Sequence, residues 1–109
     1  MKTAKKNTPS VPPFSFSAKV WVYPGANPWF FVTVPKKESD TLRAVMKHYP
    51  RRGFGAVKTS VTIGATSWTT SVFPESLSGM YILPIKKQVR KTEDLYEGDT
   101  TRITLTPLL

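Results

Sequence analysis

Apolar and polar positions alternate along most of this chain, in short runs punctuated by proline and glycine. Phe16, Ala18, Val20 and Val22 recur at period two, which predicts a strand over about 15–23. Lys19, Trp21 and Tyr23 fall on its opposite face, and the turn cluster Pro24-Gly25-Ala26-Asn27-Pro28 ends it. Trp29–Val34 is apolar on both faces, the pattern of a strand in a closed or doubly covered sheet. Pro35 stops that run because it has no N–H to donate. The period then lengthens to that of a helix. Leu42, Val45, Met46 and Tyr49 stand at i, i+3, i+4 and i+7, one apolar stripe. Ser39 as a cap and Pro35 at the first helical position are both starts for it, and Pro50 closes it.

Strand alternation resumes over 56–63 and 66–73, joined by Gly64-Ala65. Two connecting residues of which only Gly64 readily takes positive φ predict a hairpin with a type II′ turn. Met80–Leu83 is a short strand before Pro84. A short helix follows over about Lys86–Thr92, burying Ile85 and Val89. Glu97-Gly98-Asp99 is a turn, and Thr101–Thr106 is a last strand with Ile103 and Leu105 on one face.

Two stretches share a layout. Val34-Pro35-Lys36-Lys37 and Leu83-Pro84-Ile85-Lys86-Lys87 each end a strand with proline and paired lysines, then enter a helix and another strand. A duplication accounts for this, and so does the commonness of proline after strands. If duplicated, two units with open edges close on each other into a small barrel. The fold class expected is therefore mainly β, a single-chain double-split β-barrel with pseudo-twofold duplication and two short helices.

At 109 residues there is room for one core, and the aromatic share of 12% compensates for a modest apolar content of 39%. Residues 1–13, with Lys2, Lys5, Lys6 and three prolines but no periodicity, read as a disordered basic arm, and 14–109 as the domain. That arm has no apolar segment of signal-peptide type, and no run approaches a membrane span, so a cytoplasmic, non-membrane protein is expected. The absence of cysteine excludes disulfides, thiolate metal sites and thiol catalysis. A formal net charge of +9 favours anionic partners or serves only solubility.

One set of short motifs carries a resemblance. Arg52-Gly53-Phe54-Gly55, Val61-Thr62-Ile63-Gly64, Trp68-Thr69-Thr70-Ser71, Phe73-Pro74, Leu83-Pro84-Ile85-Lys86, Val89-Arg90-Lys91 and Glu97-Gly98-Asp99 occur in this order. In them the chain resembles the DUF1905 family, a bacterial and archaeal domain of unknown function. The second unit also resembles the half-barrel of AbrB/MazE-type transcription factors. The resemblance implies a double-split barrel within one chain, hence a monomer. Family members often precede a domain similar to YdeI/OmpD-associated proteins, so the resemblance further implies such a partner, either missing or supplied separately. It carries over no catalytic residues.

Arg51-Arg52-Gly53-Phe54-Gly55 is the sharpest candidate site. Its glycines let backbone N–H groups approach a ligand, and its guanidinium groups suit phosphate or carboxylate. The competing reading is a tight turn with Phe54 in the core and the arginines in solvent. Lys36, Lys37, Lys86, Lys87, Arg90 and Lys91 form two related basic patches at helix starts, or simply solvated faces. In AbrB-like barrels, comparable residues meet DNA phosphates, so an anionic ligand or nucleic acid is the first partner considered. Phe54, Trp68, Phe73 and Tyr81, with Trp29, line a pocket on one reading and the core on the other. Alternating Ser60, Thr62, Ser67, Thr69 and Ser71 read as a polar strand face. His48, the only histidine, falls at the end of the first helix, and Glu93, Asp94, Glu97 and Asp99 lie about a turn. No catalytic residue, metal ligand or cofactor site emerges. The expectation is a binding or accessory module that is not an enzyme.

Overall fold

The computed structural model describes residues 11–49 and 55–109. In chain order they form β1 (Phe14–Lys19), β2 (Trp21–Tyr23), β3 (Trp29–Thr33), α1 (Lys36–Met46) and β4 (Val57–Ile63). Then come β5 (Thr66–Pro74), β6 (Tyr81–Pro84), α2 (Lys87–Glu93) and β7 (Thr100–Pro107). All strand pairs are antiparallel, in one curled sheet of order β1-β7-β4-β5-β6-β3-β2. The chain is mainly β with two short helices.

β1 and β2 stand at opposite ends of that order, yet only Val20 separates them. The strand expected over 15–23 is thus bent into two. Its first half pairs with β7 and its second with β3. The bend is held from afar: Val20 N–H donates to Asp99 O at 2.8 Å, and Gly98 N–H donates to Val20 O at 2.8 Å. β5 is also shared, pairing with β4 over 66–72 and with β6 through Phe73 and Pro74. The pairing scheme has an internal regularity. Exchanging β1 and β2 with β5, β3 with β6, and β4 with β7 returns the same set of pairs.

The backbone bonds Val34 N–H to Tyr81 O and Ile85 N–H to Phe30 O, both 2.8 Å, correspond under this exchange. They equate Val34 with Ile85, Pro35 with Lys86 and Lys36 with Lys87. Pro35 and Pro84 are therefore not equivalent positions, and the matched proline–lysine motifs of the sequence are out of step. The equivalence lies in the backbone pairing and not in the motif.

Strict alternation buries Val57, Thr59, Val61 and Ile63 of β4, while Val32, Leu83, Val72, Ile103 and Leu105 complete the centre from other strands. Only Gly64 of the hairpin pair has positive φ (+58°), as a type II′ turn requires, and its missing Cβ makes room for the Glu93 carboxylate. That carboxylate accepts a hydrogen bond from Thr66 Oγ1, which ties α2 to the hairpin. α1 buries Leu42 and packs Val45 and Met46 against the core, as the stripe predicted, but it ends at Met46, before Tyr49 and Pro50. Pro35 is its cap residue. Ser39 is no cap: buried inside the helix, its hydroxyl donates to Val34 O and accepts Tyr81 N–H, each at 2.9 Å.

Two expectations need correction. Val11, within the supposed arm, is buried in the core cluster, so the described end of that segment is anchored. A lone apolar residue before Pro12-Pro13 has no periodicity by which to announce itself. β3 is also not covered on both faces, since Trp29 is 60% exposed.

Candidate functional site

The open face of β3 belongs to a groove. Strand register puts Trp21, Phe31 and Pro84 in one cross-strand row and Tyr23 with Trp29 in the next. Thr33, Ile82 and Phe73 form the third row, on the other side of the first. Residues directly opposite share a sheet face. Together with Glu75, seven of these side chains line a cavity of about 480 Å³: Trp21, Tyr23, Trp29, Phe31, Phe73, Ile82 and Pro84. The rings are mutually ordered. Trp21 lies 5.0 Å from Phe31 between centroids, and Trp29 lies 6.3 Å from Phe31 with planes 15° apart. Trp21 Nε1–H donates to Thr33 Oγ1 at 2.9 Å, which satisfies the indole.

Glu75 is half-buried at the rim, on the loop after β5. That loop is closed by Glu75 N–H to Met80 O and Gly79 N–H to Glu75 O, both 2.9 Å. Ser78 Oγ donates to Glu75 Oε1 at 2.6 Å. The carboxylate is consequently held within its own loop.

The other side of the β3–β6 pair is braced by arginines. Arg90 of α2 donates from Nε to Ile85 O at 3.1 Å and places its guanidinium 3.7 Å from the Phe30 ring centroid. Arg43 of α1 lies 5.6 Å from the Tyr81 centroid, donates to Asp40 Oδ1 at 3.2 Å and also donates to Gly79 O. A second cavity, of about 400 Å³, lies between Arg43, Met46, Lys47, Gly55, Ala56, Pro74 and Tyr81.

Of the basic candidates, Arg51, Arg52 and Gly53 lie outside the described residues, as does Phe54. Gly55 has φ +82° and lines the second cavity. Lys36 is paired with Asp40 at 3.0 Å on the surface. Lys37, Lys86, Lys87 and Lys91 are exposed at two separate helices, and half-buried Arg90 is committed to Ile85 and Phe30. None of these lysines lines the Gly55 cavity, although Lys36 lines a neighbouring hollow that shares Arg43 and Pro74 with it. Among the aromatic candidates, Phe73 and Trp29 line the groove. Tyr81 is buried toward α1, and half-buried Trp68 packs against the core beside a smaller groove that includes Trp29 and Lys86.

Sequence reasoning missed Trp21, Tyr23, Phe31, Ile82, Pro84 and Glu75 as site residues. The available signal was the placement of Trp21 and Tyr23 opposite the core positions of their strand. His48 is exposed. Thr62 and Ser67 bridge hydroxyl to hydroxyl at 2.7 Å across the hairpin, as a polar strand face does. Among the described residues no group of three or more His, Cys, Asp or Glu is placed to hold a metal, and no helix is long and apolar enough to cross a membrane. The Tyr96 hydroxyl is pushed above its ordinary value, first by its hydrogen bond to Asp94 and then by that carboxylate's charge.

The family profile described as a domain of unknown function, DUF1905, matches residues 16–105. The chain belongs to the DUF1905 family. The match runs from β1 into β7 and so takes in both halves of the pairing scheme of this DUF1905 chain. A search of curated proteins finds no match.

Proposed function

We propose that this DUF1905 chain is a non-catalytic recognition module whose working surface is the aromatic groove over β2, β3 and β6. One observation carries the reading. Trp21, Tyr23, Trp29, Phe31 and Phe73 gather on a single sheet face, where Tyr23 is 64% and Trp29 60% exposed. Scattered exposed aromatics are ordinary, whereas a contiguous apolar surface is the usual mark of an interaction site. A face used only to contact water would be served better by polar residues, as on the β4–β5 hairpin.

The frame for this surface is a double-split barrel with a pseudo-twofold, complete within one monomeric chain. Support comes from the exchangeable pairing scheme and from the two shared strands, β1/β2 and β5. Light scattering on the purified protein should give a monomer. A strand-exchanged dimer would overturn the single-chain barrel.

Titration with indole, followed by NMR, tests the groove. Shifts are expected at the Trp21 and Trp29 side chains and along β2, β3 and β6. Shifts elsewhere, or none, would refute the reading.

A second reading has its own observation. Arg43, Lys47 and Gly55 line one cavity, where an anion would meet two cations. Binding to duplex DNA or heparin at low salt, falling steeply as salt is raised and abolished by Arg51→Ala with Arg52→Ala, would establish it. No binding at low salt would exclude it.

A further inference from the structure

We propose that the groove binds a medium-chain alkyl carboxylate, with the chain laid along the rings and the carboxylate at Lys86. The inference rests on the recognition reading above and names the ligand class of that surface.

Strand register places the cation. Phe31 pairs with Pro84, and Ile85 N–H, donating to Phe30 O at 2.8 Å, carries the same register one step further. The next position opposite Trp29 is Lys86, whose backbone is still extended (φ −70°, ψ 158°) before α2 begins. Ile82, Pro84 and Lys86 therefore follow one another on the groove side of the sheet. Trp29 and Pro84 line both the groove and an adjoining hollow of about 190 Å³, and Lys86 lines that hollow with them. Thr69 and Thr70 bring hydroxyls to the same place. Lys86 is exposed and forms no ion pair among the described residues. Glu75, beyond Phe73 and Ile82 at the opposite end, is a carboxylate bonded to Ser78 within its own loop. An anionic head thus has a single end to occupy.

Between the ends the lining is apolar. The Trp21, Phe31 and Trp29 rings lie against one another with planes 31° and 15° apart, and so form a continuous strip that a flexible chain can follow. From Ile82 to Lys86 the strip runs about 13 Å, the length of an alkyl chain of about ten carbons. A methylene wholly removed from water favours binding about fourfold, and one half-covered in an open groove about twofold. An exposed ion pair adds at most about fivefold. The chain therefore supplies most of the affinity, and Lys86 sets its direction. The net charge of +9 draws anions toward the surface from further away.

The test is a series of hexanoate, octanoate, decanoate and dodecanoate below their aggregation limits, with octan-1-ol as the neutral control, followed by tryptophan fluorescence and NMR. Affinity should rise about fourfold at each step up to decanoate and then level off. Octanoate should bind several-fold more tightly than octan-1-ol. Lys86→Gln should erase that difference without weakening octan-1-ol. Lys87→Gln removes the same charge from a residue outside both hollows and should leave it intact. Thermal melting of each variant verifies that the fold persists, which the exposure of both lysines favours. Equal binding of octanoate and octan-1-ol, or equal effects of the two lysine variants, would overturn the carboxylate seat. Affinity independent of chain length would overturn the placement of the chain. Tighter binding of phosphatidylglycerol vesicles or of acetylated trileucine than of decanoate would overturn the free acid as occupant and give the face to a membrane or a protein. Failure of every carboxylate while indole still shifts the groove resonances would overturn this inference alone, and failure of indole as well would overturn the recognition reading with it.

Discussion

The two faces of the β3–β6 pair carry similar side chains to opposite fates. On one face Val32, Val34, Leu83 and Ile85 are sealed in the core. On the other, Phe31, Ile82 and Pro84 are half-covered and Trp29 is mostly in water. Hydrophobicity is not what separates them, because both faces are apolar. What differs is what the rest of the chain lays against each. Helices α1 and α2 brace one side through Ser39, Arg43 and Arg90, whereas on the other the Trp21, Phe31 and Trp29 rings lie against one another with no helix among the described residues over them. Stability and the proposed recognition therefore occupy adjacent positions of the same strands, one residue out of phase.

The contrast breaks most visibly with Leu83→Ala. Leu83 is fully buried, and truncating such a leucine costs about 2–5 kcal/mol through lost burial and the cavity left behind. A marginally stable domain loses much of its stability on that scale. Denaturant melting should show it. A loss no greater than that of a surface substitution would mean the centre of the sheet is loosely packed.

Ser39→Ala should come next, at about 1–3 kcal/mol, because it removes the donor to Val34 O and the acceptor of Tyr81 N–H in a buried setting. The corresponding position in the second unit is Arg90, which uses a different chemistry for the same strand-to-helix corner. Ser39 bonds back to Val34, and Arg90 bonds back to its counterpart Ile85. Arg90 is half-exposed, so Arg90→Ala should cost less, about 1 kcal/mol from the lost hydrogen bond and ring contact. If Arg90→Ala proved the more damaging, the buried hydroxyl would not be the principal tie.

How much of this was legible follows the range of the forces involved. The hairpin at Gly64, the α1 stripe and the burial of Val89 are short-range effects, and local periodicity exposes them. The break at Val20 is invisible locally, because Phe16, Ala18, Val20 and Val22 alternate straight through it. Its cause is the turn at Gly98 and Asp99, far along the chain. Ser39 resembles a cap in sequence, and only the arrival of β6 gives its hydroxyl two partners. The groove was obscured for a related reason. Its rows assemble from β2, β3, β6 and the end of β5, which neighbour one another in space but not in sequence. An apolar run such as Trp29–Val34 states that a strand has two greasy faces, not whether anything covers the second.

Trp29→Ala should then separate stability from binding. The side chain is 60% exposed, so melting should change by less than about 1 kcal/mol. Indole binding should nevertheless fall severalfold. A large loss of stability would place Trp29 with the core face and remove the contrast between the faces.

The smallest effect belongs to Tyr96, an aromatic that is 66% exposed yet lies outside the groove. Its backbone closes the last turn, with N–H donating to Asp99 Oδ2 at 2.8 Å and its carbonyl accepting Asp99 N–H at 3.0 Å. Those bonds do not need the hydroxyl, so Tyr96→Phe should leave melting near neutral pH and ligand binding both unchanged. The hydroxyl still has a signature of its own. Its neutral form donates to Asp94, and ionisation would set two negative charges together, which raises the pKa. With the folded value above the unfolded one, the contribution is present below the ordinary tyrosine range, near about 10, and is lost as pH rises through the raised value. It is small because the group is solvated. Phenolate absorbance should thus contain a late-titrating component that disappears in Tyr96→Phe. Asp94→Asn, which keeps a residue tolerant of the left-handed backbone at φ 56°, should move that component down. If Tyr96→Phe instead weakened indole binding, exposure alone would be enough to recruit an aromatic to recognition, and the clustering of rings on β2 and β3 would lose its claim to be the site.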